Sequence, residues 1–267
     1  MIRIFISPTR SGSGAFLRCF ENNPAVTKVF HQPIKSGYRQ DGEFDYTFFD
    51  LAATIGDDIF VAKETIGGFQ VPETQFSPLP EAGPHVTIGS WSLDRQQVVG
   101  LEPLILMRDP LQTWGSIERL NRASLGLSPF HSPFDFFVTS YKAVAAFALA
   151  SRTEDLPVWC VTQELLATDI RAVLKRVCER WSIPWHPSMV EWTQEYGVRT
   201  WFSEEAQYRM DNDFRFQQSK AALAASHRWQ YRESPTDDVS PEDREIIESD
   251  LRPLYAKFCA LAEADFG

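Results

Sequence analysis

Short continuous apolar runs alternate with longer amphipathic stretches along this chain, a pattern that predicts a mostly parallel sheet flanked by helices. Ile2–Ile6 reads as the first strand, stopped by Ser7-Pro8, and Gly14–Asn22 as the helix after it, ended by Asn23-Pro24. Val26–Phe30 predicts a short second strand. Asp45–Ile55 predicts a helix that leads through Gly56-Asp57-Asp58 into a strand at Ile59–Lys63. Gly67 to Gly89 carries glycine, proline and polar residues without periodicity, and a stretch of that length is expected to be a lid or a substrate-binding loop. Leu104–Met107 is a buried strand closed by Arg108-Asp109-Pro110, with helices expected at Leu111–Ala123 and Pro133–Ala150. Pro157–Val161 reads as the last sheet strand and Asp169–Trp181 as a helix. Ile183–Arg215 is aromatic-rich and shows no clear period, and a final helix runs from Pro241 to about Ala264 with Ser240 as its N-cap. The class is therefore α/β: three layers, a mostly parallel central sheet, a helical C-terminal third, and a single domain over residues 1–267.

A hydrophobic fraction of 43% is ample for a buried core. The net charge of -10 and pI near 5.0 argue against a nucleic-acid binder, which needs a basic field, but leave room for one basic pocket. The four cysteines (Cys19, Cys160, Cys178, Cys259) form no C-x-x-C pair and the five histidines no H-x-x-x-H, so reduced thiols, no metal and a cytosolic setting are expected. The apolar run at Met1–Ile6 is too short for a signal peptide, and no stretch approaches the ~18 apolar residues of a membrane span.

The candidate chemistry begins at Ser7-Pro8-Thr9-Arg10-Ser11-Gly12-Ser13-Gly14, between a strand and a helix. Small residues there let several N–H groups converge on one anion, and the following helix contributes its positive dipole end. Ser11 and Ser13 offer hydroxyls and Arg10 a fixed charge. The ATP/GTP-type loop ending Gly-Lys-Ser/Thr is absent, and the dinucleotide fingerprint fails because Leu17 stands where its third glycine belongs. The same string also suits a turn that holds no ligand. A second motif is Leu104–Met107 running into Arg108-Asp109-Pro110, with Ser116 in the next helix. Asp109 caps that helix, which leaves Arg108 at the carboxyl end of a strand, where open α/β sheets bind ligands. Arg108 and Ser116 suit a second phosphate, although Arg108 on the surface beside a capped helix is the plain alternative.

With these two motifs in order, the chain resembles the sulfotransferases that use 3'-phosphoadenosine 5'-phosphosulfate. Their 5'-phosphosulfate loop, [KR]-S-G-[ST]-[ST] after the first strand, is matched by Arg10-Ser11-Gly12-Ser13-Gly14, and their 3'-phosphate motif by Arg108 and Ser116. Ser226-His227-Arg228-Trp229 looks like a diverged form of their G-x-W element. The loop departs from the pattern at Gly14, where the family has a second hydroxyl, and of the C-terminal basic loop only Arg228 carries over. The resemblance implies a P-loop-like fold and a co-substrate site of Arg10, Ser11, Gly12, Ser13, Gly14, Ala15, Arg108, Ser116 and Arg228, with no metal.

Sulfuryl transfer needs a cation at the leaving oxygen and a base for the acceptor proton. Arg10 stands where the family has its loop cation. Glu64, after the strand that ends at Lys63, is the first choice as base, His31 the second and His85 the third; Lys63 suits the sulfonate oxygens. Trp91, Trp114, Trp192, Trp201 and Trp229 are core residues or line an acceptor pocket or the adenine, with Trp114 expected nearest the nucleotide. Family members acting on polysaccharides or proteins are usually membrane-anchored, so the expected reaction is sulfation of a hydroxyl or amine on a small, cytosolic acceptor, with no nucleic-acid or membrane partner. An ATP-dependent small-molecule kinase and a non-catalytic nucleotide-binding module remain as alternatives.

Overall fold

The computed structural model describes residues 1–35, 47–67, 86–88, 91–93, 95–127 and 131–267. His85 and most of the irregular stretch 67–89 lie outside the described residues, as does the side chain of Trp91. In chain order the elements are β1 (Ile2–Pro8), α1 (Ser13–Glu21), β2 (Lys28–His31), α2 (Thr47–Ala53), β3 (Phe60–Ile66), β4 (Val86–Ile88), β5 (Trp91–Leu93), α3 (Arg95–Leu101), β6 (Leu104–Met107), α4 (Pro110–Ala123), α5 (Phe134–Thr153), β7 (Trp159–Thr162), α6 (Gln163–Arg180), β8 (Thr200–Trp201), α7 (Glu204–Asn212), α8 (Phe214–Ala224), α9 (Pro241–Ile246) and α10 (Arg252–Phe266).

Six of the strands form one sheet in the order β7-β6-β1-β3-β2-β8, and every pairing in it is parallel. Parallel strands are covered on both faces, which is why Ile4–Ile6 of β1 and Leu104–Met107 of β6 are continuous apolar runs. Along them, successive side chains enter opposite layers. Ile4, Ile6, Ala62, Ile105 and Met107 pack with Tyr141, Val144 and Phe147 of α5 and Phe258 and Ala262 of α10. Phe5, Val61, Leu104, Leu106 and Val161 pack on the other side with Phe16 and Phe20 of α1 and Leu174 and Val177 of α6. The fold is thus the three-layer α/β arrangement expected, with all six strands pointing their carboxyl ends to one edge.

Several elements differ from the periodicity. β3 runs to Ile66 rather than stopping at Lys63, because Glu64, Thr65 and Ile66 pair with Ile6, Ser7 and Pro8. β7 is not the last strand of the chain: β8 pairs with β2, two residues hidden in the aromatic-rich region that α7 and α8 also occupy. α3 and the antiparallel β4–β5 hairpin are further additions, the hairpin starting inside the stretch read as irregular. α6 begins at Gln163, and Asp169 interrupts it at φ -153 and ψ 85 while accepting from the N–H of Ala172 at 3.0 Å. The part before that local cap, 163–168, lies outside the helix expected at Asp169–Trp181. The C-terminal helix is split by a π-turn at Ile247–Leu251, just before Pro253, whose missing N–H breaks the regular ladder. All four cysteines are free thiols.

Candidate active site

β1 delivers the chain to the sheet's carboxyl edge, where the N–H of Thr9 bonds the carbonyl of Ile66 at 2.9 Å. Two left-handed residues then curl the loop, Arg10 at φ 62 and Gly12 at φ 76. Gly12 is the N-cap of α1 and offers no side-chain cap, so the first N–H groups of the helix stay available to an anion. Gln163 lies directly on Gly12: a Cβ there would sit 2.1 Å from its Nε2. The positive φ favours glycine, and the contact would make the Gln163 side chain move for any larger residue. The hydroxyls of Ser7 and Ser11 are buried without a hydrogen-bond partner among the described residues, and Ser13 Oγ lies 3.5 Å from Thr65 Oγ1. Ala15, in the first turn of α1, packs against the apolar layer under that helix.

The two sequence motifs, 106 residues apart, meet through a hydrogen bond: Arg10 Nε donates to Ser116 Oγ at 3.1 Å. Arg10 Nη1 also donates to Ser219 Oγ on α8 at 3.3 Å. Arg108, 5% exposed, donates from Nη2 to the carbonyl of Arg232 at 2.7 Å and stands over the Tyr231 ring at 5.7 Å. Its Nε is buried and has no described partner. Tyr141 Oη donates to the Arg108 carbonyl at 2.7 Å, and Asp109 caps α4 through the N–H groups of Leu111 and Gln112. Burial, reinforced by the charges of Arg119, Arg215 and Arg108, lowers Arg10 to about 10. Arg119 and Arg215 were not among the residues picked from the sequence. Arg119 follows Ser116 by one helical turn, so its i, i+3 spacing was the available signal, whereas Arg215 arrives on a helix the periodicity did not reveal. Arg228 is exposed and its backbone pairs with Glu191; Tyr231 and Arg232 of that segment reach Arg108.

α8 lies over the loop along one stripe. Arg215 and Ser219 face Arg10, and Leu223 meets Gly14, where a Cβ would lie 3.2 Å from Leu223 Cδ1. Arg18 of α1 donates to the Leu223 carbonyl and is stacked against Trp192. Gly14 therefore makes room for α8 where the resembled family has a hydroxyl. Gly14→Ser should cost about 1 kcal/mol through this contact, and less in a Leu223→Ala background. A double-mutant cycle by urea denaturation checks it, and equal cost in both backgrounds would remove Leu223 as the reason for glycine.

His31 and Lys63 are neighbours across β2 and β3, with Nζ 3.0 Å from Nε2. Burial pushes Lys63 down to about 7 against the opposing charge of Glu64, and Arg10 pushes it further in the same direction. Burial, then the Lys63 charge, holds His31 well below its usual range, so its ring is neutral at pH 7. Its Nδ1 is buried and has no described partner. Glu64, one residue on, turns to the α5 face of the sheet. It is 0% exposed and accepts from the N–H of Ile34 at 2.7 Å. Burial raises it from 4.5 to about 7, against the pull of the Ile34 bond and of Lys35. Lys35 Nζ donates to the carbonyl of Gly67 at 2.6 Å. The structure thus brings Arg10, Ser116, Lys63 and His31 to one region and sets Glu64 in another layer.

The raised Glu64 carboxyl has a stability consequence. Its proton is held more tightly in the folded than in the unfolded chain, so its contribution is full below 4.5 and is lost as pH rises through about 7. The loss is about 3 kcal/mol. Glu64→Gln should remove this fall, measured as the wild-type minus variant difference in urea denaturation between pH 4 and 8. A difference that does not change with pH would contradict it.

No family model matches the chain, and no curated protein matches it. Solved structures do. Mouse sulfotransferase SULT7A1 complexed with PAP aligns at 14% identity over 98% of this chain and 85% of that one, with a TM-score of 0.49. The sulfotransferase domain from the curacin biosynthetic pathway aligns at 17% identity over 94% and 97% of the two chains, TM-score 0.44. The sulfotransferase domain of the Synechococcus PCC 7002 olefin synthase aligns at 12% identity over 93% and 94%, TM-score 0.41. The likeness is one of fold.

Beside the His31–Lys63 pair lies a cavity of about 660 Å³, lined by Tyr196, Gly197, Thr200, Trp201, Phe202 and Gln207, with Lys28, Glu204 and Lys220 completing it. Phe202 rests on the His31 ring, centroids 5.3 Å apart, and Lys220 follows the Ser219 that holds Arg10. Trp201 alone of the described candidate tryptophans lines it. Trp114 is core, stacked on Phe137 at 5.3 Å with Nε1 bonded to Asp243. Trp192 is buried and bonded to the Met189 carbonyl, and Trp229 packs on the layer beneath α1. Among the described residues no group of His, Cys, Asp and Glu could hold a metal ion, and no helix is long and apolar enough to cross a membrane.

Proposed function

We propose that the chain binds 3'-phosphoadenosine 5'-phosphosulfate across the β1–α1 loop and the Arg108–Ser116 segment and sulfates a hydroxyl or amine of a small-molecule acceptor. The observation that carries this is the hydrogen bond from Arg10 Nε to Ser116 Oγ, which joins the two motifs at the sheet's carboxyl edge. Arg10 is disfavoured there by its burial and by the charges of Arg119, Arg215 and Arg108, and a bound polyanion relieves both. The unpartnered Ser11 hydroxyl and Arg108 Nε supply donors from two different strand ends, which suits two separate phosphate groups. The residues therefore fit the co-substrate.

Bound there, the donor supplies the sulfuryl group and leaves as adenosine 3',5'-bisphosphate. Ser11 and the first N–H groups of α1 hold the 5' end, and Arg108 with Ser116 the 3'-phosphate. Arg10 stabilises negative charge on the leaving phosphate oxygen. His31 takes the acceptor proton, and Lys63 orients that ring.

Isothermal titration with adenosine 3',5'-bisphosphate, without metal, tests the reading. Binding that Arg108→Ala weakens by roughly 30- to 1,000-fold is the expected result. No binding of bisphosphate or donor, or metal-dependent preference for ATP, would overturn it. Mass spectrometry of acceptor libraries incubated with the donor then separates an enzyme from a binding module.

A further inference from the structure

Gln163 carries an unmet hydrogen bond between the two phosphate-holding motifs. It is the first residue of α6, directly after Thr162 ends β7, and Thr162 caps the helix by accepting from the N–H of Leu165 at 3.1 Å. In the sheet β6 lies between β7 and β1, so the first turn of α6 has to lean over the carboxyl end of β6 to reach the loops beyond. Glu164 Oε1 accepts from the N–H of Asp109, just past β6, at 3.3 Å. Tyr255 of α10 donates to Glu164 Oε2 at 2.5 Å, which fixes this turn. Gln163 reaches one strand further, and its side-chain amide lies against Gly12 in the loop after β1.

Gln163 is 6% exposed, and its Oε1 is buried and accepts no hydrogen bond among the described residues. A buried amide oxygen without a donor is costly, and such groups are rare in folded chains. A phosphate oxygen cannot satisfy it, because both atoms are acceptors; a ligand O–H or N–H can. The position of the amide narrows the choice. Gly12 belongs to the loop proposed to hold the 5' end, and the Arg108–Asp109 turn, held by the neighbouring Glu164, to the 3'-phosphate. In the proposed ligand a single ribose joins those two phosphates. The one hydroxyl left on that sugar is the 2'-OH, next to the 3'-phosphate.

We infer that Gln163 Oε1 accepts a hydrogen bond from the ribose 2'-hydroxyl, which makes Gln163 the residue that selects a ribonucleotide over a 2'-deoxyribonucleotide. This rests on the proposed two-phosphate site, whose phosphate contacts alone treat the two sugars alike. The test titrates the full chain with adenosine 3',5'-bisphosphate and with 2'-deoxyadenosine 3',5'-bisphosphate, which keeps the base and both phosphates and lacks only the donor. The ribonucleotide should bind about five- to thirtyfold more tightly, the scale of one hydrogen bond to a buried acceptor. Gln163→Met and Gln163→Leu fill the space without an acceptor, and each should bring that ratio to within about twofold of unity. Neither should lower the melting temperature of the ligand-free chain, because no protein hydrogen bond of Oε1 is lost. Equal binding of the two nucleotides by the wild type would overturn the inference, as would a ratio unchanged in both variants. A lower melting temperature with equal losses for both nucleotides would make Gln163 a support of the Gly12 loop instead. The two readings fail differently. No binding of either bisphosphate by the wild type removes the site and this role with it, whereas tight binding of both without discrimination keeps the site and removes only the role of Gln163.

Discussion

Arg10→Ala is expected to lower kcat by about 10²- to 10³-fold, as loss of a preorganised donor at a developing oxyanion does. Arg108→Ala is expected to weaken adenosine 3',5'-bisphosphate binding by roughly 30- to 1,000-fold, the penalty for removing one member of a buried charged contact. The two changes separate because Arg10 is held on Ser116 and Ser219 above the loop, while Arg108 is set at the end of β6 by Tyr141 and the Arg232 carbonyl. Arg10→Ala should also leave the ligand-free protein as stable as the wild type or more so, since burial among Arg119, Arg215 and Arg108 already disfavours its charge. Steady-state kinetics, calorimetry and thermal melts read the three effects. Equal losses of kcat from both variants with unchanged bisphosphate affinity would mean that Arg108 does not hold a phosphate.

The sheet was legible because Ile4–Ile6 of β1 and Leu104–Met107 of β6 are buried on both faces and so appear as short apolar runs. The meeting of Arg10 with Ser116 was legible too, since parallel strands deliver the loops after β1 and β6 to one edge. α8 was not. Its contacting residues, Arg215, Ser219 and Leu223, mix a charge, a hydroxyl and an apolar group at i, i+4, i+8 spacing, and no hydrophobic stripe marks them. β8 escaped for a different reason: two residues, Thr200 and Trp201, are too few for any period, and their place is set by pairing with Val29 and Phe30. From the sequence, Glu64 is preferred to His31 as base because the resembled family carries a His or Glu after this strand, and the end of β3 decides where that residue points. With the strand stopped at Lys63, Glu64 reads as a free loop carboxylate. Continued to Ile66, the alternation sends Glu64 to the face opposite Lys63.

His31→Ala should therefore cost about 10²- to 10⁴-fold in kcat, the scale of a lost general base, while Glu64→Gln retains most of the activity. The pH dependence follows from the pair. When Lys63 is neutral its amine can accept the Nε2 proton of His31, which leaves Nδ1 with a lone pair for the acceptor. When Lys63 is an ammonium it donates to Nε2, the proton of the neutral ring moves to Nδ1, and the base is blocked. Activity should rise with pH through about 7, where Lys63 loses its proton. Lys63→Arg keeps the cation at every pH and should lower kcat with no acid limb near 7. Because the Glu64 carboxyl also sits at about 7, the wild-type profile alone does not distinguish the two. The variants do: an acid limb that persists in Lys63→Arg and disappears in Glu64→Gln would move the base to Glu64. The His31–Lys63 contact would then be a packing feature of the β2–β3 pair.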